Sequence, residues 1–74
     1  MTYKQFDKWC NERAVDGCWG RAEATLCIGL LRAIKKRPFW RREKIWKRFE
    51  DEVVSEIIEP TNQKIKELTG REVE

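Results

Sequence analysis

Few residues in this chain could do chemistry, and their types narrow the choices quickly. No histidine occurs in the 74 residues. That removes the commonest general base, the usual metal ligand, and the Ser-His and Cys-His nucleophile pairs. Ser55 is the only serine, and it stands in a charged stretch with no base visible beside it. Glu50, Asp51, Glu52 and Glu56 could pair for acid–base work, but on a solvated helix face such carboxylates serve as solubilising charge. There is no glycine-rich phosphate loop of the P-loop or dinucleotide-binding type. A chain of this length also has little room for a water-excluding cleft. The expectation is a protein that is not an enzyme and carries no cofactor.

Cys10, Cys18 and Cys27 raise the question of a metal. Structural zinc sites usually pair their cysteines two to four residues apart and need four ligands. Here seven and eight residues intervene, and there is no fourth sulfur or imidazole. The expected reading is no metal site, with three reduced cysteines packed as small apolar side chains.

The strongest functional signal is charge. Between Lys35 and Arg48 lie eight cations (Lys35, Lys36, Arg37, Arg41, Arg42, Lys44, Lys47 and Arg48) against the single Glu43. Glu50, Asp51, Glu52, Glu56 and Glu59 follow directly. The rest of the chain is close to neutral, so the overall +3 hides a strong contrast within one stretch. Arginines flank Trp40 and Trp46 in the basic half. A helix that begins here adds its positive dipole end and its free amide donors to the same field. Phosphates or an acidic protein surface are the natural partners. The competing reading is a solvated helix whose Lys and Arg stems cover the tryptophans. One feature speaks for a partner: cations at a helix N-terminus and anions at its C-terminus reverse the order the macrodipole favours. Two such helices packed antiparallel would set each basic end beside the other's acidic end, as a two-fold homodimer does. The candidate partner-binding residues are Lys35, Lys36, Arg37, Trp40, Arg41, Arg42, Lys44 and Arg48.

The elements that must position these residues read as helices. Thr2 with Gln5 three residues on forms a capping-box pattern. Tyr3, Phe6, Trp9, Cys10 and Arg13 then share one helical face. Asp16-Gly17 is a turn signal. Trp19, set between Gly17 and Gly20, is expected to fold back and close a tight connection. A second helix is expected from about Arg21 to Lys36, its Leu26, Leu30, Ala33 and Ile34 stripe widened by Ala22, Cys27, Ile28 and Leu31. Gly29 in mid-helix costs roughly 1 kcal/mol against Ala, which suggests close helix–helix approach. Arg37, preceding Pro38, is pushed out of helical conformation.

A third helix then carries the stripe Ile45, Phe49, Val53 and Ile57, with Trp46, Val54 and Ile58 beside it. Either Pro60 ends it and a short fourth helix follows, with Ile65 and Leu68 inside and Gly70 as its stop, or Pro60 kinks one long helix. No strand pattern, internal repeat or low-complexity segment is visible. The fold class expected is all-α: a small bundle of three main helices, with or without a short fourth at the C-terminus. A single domain over 1–70 and a frayed tail over 71–74 are expected. The expected core is Phe6, Trp9, Leu26, Leu30, Ile34, Ile45, Phe49, Val53 and Ile57.

So short a chain buries a modest fraction of its surface and gains from dimerisation. No apolar run approaches the roughly 20 residues that cross a bilayer. The opening MTYKQFDKWC lacks the apolar segment and cleavage site of a signal peptide, so a cytoplasmic protein without a membrane partner is expected.

The run Phe6-Asp7-Lys8-Trp9-Cys10-Asn11-Glu12-Arg13-Ala14-Val15-Asp16-Gly17-Cys18-Trp19-Gly20, with Pro38-Phe39-Trp40-Arg41-Arg42-Glu43-Lys44 and Glu59-Pro60-Thr61-Asn62, resembles small accessory proteins of phages and prophages of Gram-positive bacteria. The likeness spans nearly the whole chain and contains no catalytic motif. Proteins of this type often act as stoichiometric inhibitors of host defence, anti-CRISPR proteins among them. The resemblance therefore implies a host bacterial cytosol and an inhibitor or adaptor that binds a host defence protein. It transfers no individual binding residue. The alternative read from the basic block is a binder of phosphate-rich ligand: nucleic acid, or a nucleotide second messenger sequestered in a dimer.

Overall fold

The computed structural model describes residues 1–70; the expected frayed tail, 71–74, lies outside the described residues. Helix α1 spans Tyr3–Asp16 and α2 spans Arg21–Lys35. Helix α3 spans Phe39–Val53, runs into a π-helical turn at Val54–Ile58, and continues as α4, Glu59–Thr69. Three rods result, the third much the longest, and α1, α2 and α3 all pack on one another.

Local chemistry explains where each rod starts and stops. At the head of α1 the Gln5 amide donates to Thr2 Oγ1 (3.2 Å) and the Thr2 amide donates to Gln5 Oε1 (2.7 Å), which completes the capping box. Gly17, at φ 67°, ends α1 in the left-handed region, and its amide donates to Arg13 O. The Asp16 carboxylate accepts the Cys18 amide at 2.9 Å and holds the turn. Trp19 folds back as expected and meets Trp9 edge to face, 5.7 Å between centroids.

Pro60 neither ends the third rod nor begins a separate helix. It sits in the first turn of α4, directly after the π turn, where the Glu59 amide donates to Val54 O five residues back. Proline has no amide to give to the carbonyl four residues before it, and its ring crowds that carbonyl. One widened turn accommodates both problems and lets the rod continue.

The five residues read onto one face of α1, Tyr3, Phe6, Trp9, Cys10 and Arg13, are all buried. Phe6 stacks on Trp46 at 4.2 Å with the planes 15° apart. Cys27, Leu31 and Ile34 of α2 and Ile58 of the π turn close the core around this pair. The expected core needs correction on the other two rods. Leu26 is 63 % exposed and Phe49 is 42 % exposed, while Leu30, Ile45, Val53 and Ile57 are half-buried. Trp46, set beside the stripe in the sequence reading, is fully buried, and Cys27 and Leu31 replace Leu26 and Leu30 at the centre. On both rods the inward line lies about one residue further round than the stripe predicts. The physical reason is Trp46, the largest apolar group on α3, whose indole Nε1 can also reach a carbonyl, that of Met1 at 2.8 Å. Rotating α3 to bury it swings Phe49 to the edge.

A basic and aromatic face at the start of the third helix

The eight candidate residues surround the α2–α3 corner, and the structure divides them by use. Arg42 reaches back over that corner. Its Nη2 donates to Lys35 O at 2.9 Å and its Nε to Arg37 O at 3.1 Å. It thus satisfies carbonyls left open at the end of α2, where a cation also suits the dipole. Lys35 stands 3.6 Å from Asp7 of α1. These two cations fasten helices together.

Glu43, the one anion in the block, is likewise in use. Its carboxylate accepts the Tyr3 amide at 3.0 and 3.2 Å, one of the orphan donors at the start of α1. Two turns on, Glu50 pairs with the N-terminal ammonium of Met1 at 2.5 Å and with Lys47 at 3.0 Å. The ammonium and then Lys47 hold the Glu50 carboxyl below its ordinary range, and the bond to Glu50 raises Lys47. The anions that could have neutralised the basic half are turned to the α1 side.

Trp40, Arg41, Lys44 and Arg48 remain, all exposed. Their spacings of three, four and seven residues put them on the outward face of α3, with Lys36 and Arg37 exposed on the turn before. Among the described residues no hydrogen bond or ion pair engages any of these five cations' side chains. Trp40 is 70 % exposed and Phe39 is 75 % exposed, and the two rings meet edge to face at 5.2 Å. Phe39 was not among the candidates; its place beside Trp40 directly after Pro38 was the available signal. Trp46, also read as part of the basic–aromatic cluster, is withdrawn into the core with its indole bonded to Met1 O.

The array is locally unfavourable. The first turn of α3 holds no acidic residue, and Pro38 at its N-cap offers no side-chain hydrogen bond. Arg41, Lys44 and Arg48 repel one another at one-turn spacings, and Arg41 also meets the positive end of the helix dipole.

The cysteines do not converge. Cys10 and Cys27 are buried side by side between α1 and α2, whereas Cys18 lies in the turn with its thiol on Asp16 O at 3.7 Å. The neighbouring Cys27 sulfur, and then burial, push the Cys10 thiol well above the ordinary thiol range. Among the described residues no group of three His, Cys, Asp or Glu side chains is placed to hold a metal ion. Among them, too, no helix is long and apolar enough to cross a membrane.

Comparison with known proteins gives no match: no family model, no curated protein and no solved structure is significantly similar to this chain.

Proposed function

We propose that this chain is a non-enzymatic binding module that docks an acidic protein surface with the outward face at the start of α3. Trp40, Arg41 and Lys44 form the centre of that face, and Lys36, Arg37, Arg48 and Phe39 flank it. One observation carries the reading. Among the described residues five exposed cations have no hydrogen-bond or ion-pair partner, two exposed aromatic rings lie among them, and Arg41 stands in the first turn of α3 at the positive end of its dipole. Arg and Trp are the side chains that most often anchor an interface. The face runs along one side of a helix, which suits docking in a partner's groove. The resemblance to phage accessory proteins supplies a setting: the partner would be a host defence protein, and the chain its inhibitor or adaptor in the host cytoplasm.

A second reading has its own support. Exposed Phe39 and Trp40 among cations also make a stacking platform for the bases of a single strand.

Fluorescence anisotropy of a labelled poly-glutamate peptide and of a labelled single-stranded oligonucleotide, each at low and physiological salt, tests both. The expected result is salt-sensitive binding of the peptide, lost in the double variant Arg41→Glu, Lys44→Glu and retained in Lys64→Glu, which reverses a cation at the far end of the same rod. Tight binding of the oligonucleotide with none of the peptide would favour the second reading. Unchanged binding by the double variant would overturn both.

A further inference from the structure

Rotating Trp46 inward leaves an apolar groove between α2 and α3. Leu26, Leu30, Phe49, Val53 and Ile57 line it, and Glu52 and Glu56 form its rim. We infer that this groove is the interface of an antiparallel two-fold dimer, and that the second copy of the chain is its occupant.

Three observations on one side of the molecule support a second copy. The first is apolar exposure: Leu26 and Phe49, both large, are open to solvent on the same groove. The second is Gly29. It lies on the exposed side of α2 one turn from Leu26, and a Cβ built on it would meet nothing within 4 Å. Nothing inside the molecule therefore requires a glycine there, and its helix-propensity cost goes uncompensated. A second helix crossing at Gly29 would approach closely because the side chain is missing. The third is charge order, which identifies the occupant. Along α3, cations come first (Arg41, Lys44, Arg48) and anions follow, the latter on the rim of the groove (Glu52, Glu56). A surface ordered in this way is complementary to itself reversed. Turning a second copy about an axis near Phe49 sets its Arg48 opposite Glu52 and its Lys44 opposite Glu56, and the same pairs repeat on the other side. A generic amphipathic partner would need no such order.

Burial of the groove supplies the affinity, and the exposed ion pairs fix the orientation. The dipole-opposed charge order of α3 then has a second role beyond the docking face. Because the two α3 helices run in opposite directions, their Trp40 ends emerge at opposite ends of the dimer. The pairing draws on Lys44 and Arg48, which the docking proposal also uses, but it is read by mass and by the groove substitutions at Leu26 and Gly29, so its failure and that of the docking proposal are distinguishable.

Sedimentation equilibrium over a range of protein concentrations decides it. The wild type should show twice the chain mass, and Gly29→Lys and Leu26→Glu should each return the chain mass while far-UV circular dichroism keeps its helical form. A mixing test reads the antiparallel geometry. Glu52→Lys with Glu56→Lys, and separately Lys44→Glu with Arg48→Glu, should each be monomeric alone and form a heterodimer when combined. A wild type at chain mass throughout the range overturns the inference. So does a dimer that survives both groove substitutions, which would put the contact elsewhere. Homodimers of either charge variant, with no gain on mixing, overturn the antiparallel arrangement.

Discussion

Arg41 and Arg42 are neighbours of the same type, and the structure predicts opposite consequences for the same substitution. Arg41→Glu removes a cation from the first turn of α3 and puts an anion there. Each half of that exchange gains about 0.3–1 kcal/mol from the helix dipole. The contact with Lys44 one turn on changes from repulsive to attractive, each worth about 0.2–0.5 kcal/mol. After screening of an exposed site, a gain of about 1–2 kcal/mol remains. Arg42→Glu loses two charge-assisted bonds to Lys35 O and Arg37 O. Bonds from a charged donor contribute roughly 1.5–3 kcal/mol when buried. Arg42 is half-exposed, so about 2 kcal/mol for the two together is reasonable. Gain of an anion at the head of α3 and its cost beside the end of α2 roughly cancel. For a domain of this size each kcal/mol moves the melting temperature by about 4–8 °C. Arg41→Glu should therefore melt about 5–10 °C above the wild type and Arg42→Glu about 8 °C or more below it. Thermal unfolding followed by circular dichroism measures both. Raising the salt should shrink the Arg41→Glu gain and leave most of the Arg42→Glu loss. If both substitutions shift the melt in the same direction, the division of the basic block into structural and free cations is wrong.

Other consequences follow from the packing and the titrating groups. Trp46→Ala should cost about 3–5 kcal/mol and leave the domain barely folded, whereas Phe49→Ala in dilute protein should cost less than half as much, in chemical denaturation. With a colourimetric thiol reagent, Cys18 should react in the native protein, and Cys10 and Cys27 only on unfolding, because the first is half-exposed and the other two are buried. Acid should destabilise the fold. The ammonium of Met1 and Lys47 lower the Glu50 carboxyl; slight burial opposes the shift at Asp16, but the Cys18 amide and Arg13 outweigh it. Stability from both carboxylates is present above their unfolded values, about 4, and is lost as pH falls through the lowered ones. Melting temperature should therefore drop below about pH 4, and Asp16→Asn with Glu50→Gln should flatten that limb.

Much of the fold was legible where local chemistry alone decides it. The capping box at Thr2, the turn at Asp16-Gly17 and the buried face of α1 all follow from spacing and side-chain type. Helix phase on the other rods did not. The apolar stripe of α3 is wide enough for two orientations, and the choice depends on whether Trp46 finds both a stacking partner in Phe6 and an acceptor in Met1 O. Those partners lie some forty residues away in sequence. Pro60 was ambiguous because the π turn that carries it through the rod has no side-chain signature. On the candidate face, exposure of Trp40, Arg41, Lys44 and Arg48 was legible from the charge run. The capping roles of Arg42 and Glu43 were not, since each acts on the end of a different helix and no spacing along α3 reports it.

On the proposed reading the outward face of α3, and not some other charged surface, engages an acidic partner. Titrating the isotope-labelled chain with a poly-glutamate peptide and recording amide and indole NMR shifts tests it most directly. Shifts should centre on Lys36, Arg37, Phe39, Trp40, Arg41, Lys44 and Arg48, including the Trp40 indole. The Trp9 and Trp46 indoles, bonded to Asn62 and to Met1 O, should stay in place. An absence of shifts at saturating peptide, or shifts centred on α4, would contradict it.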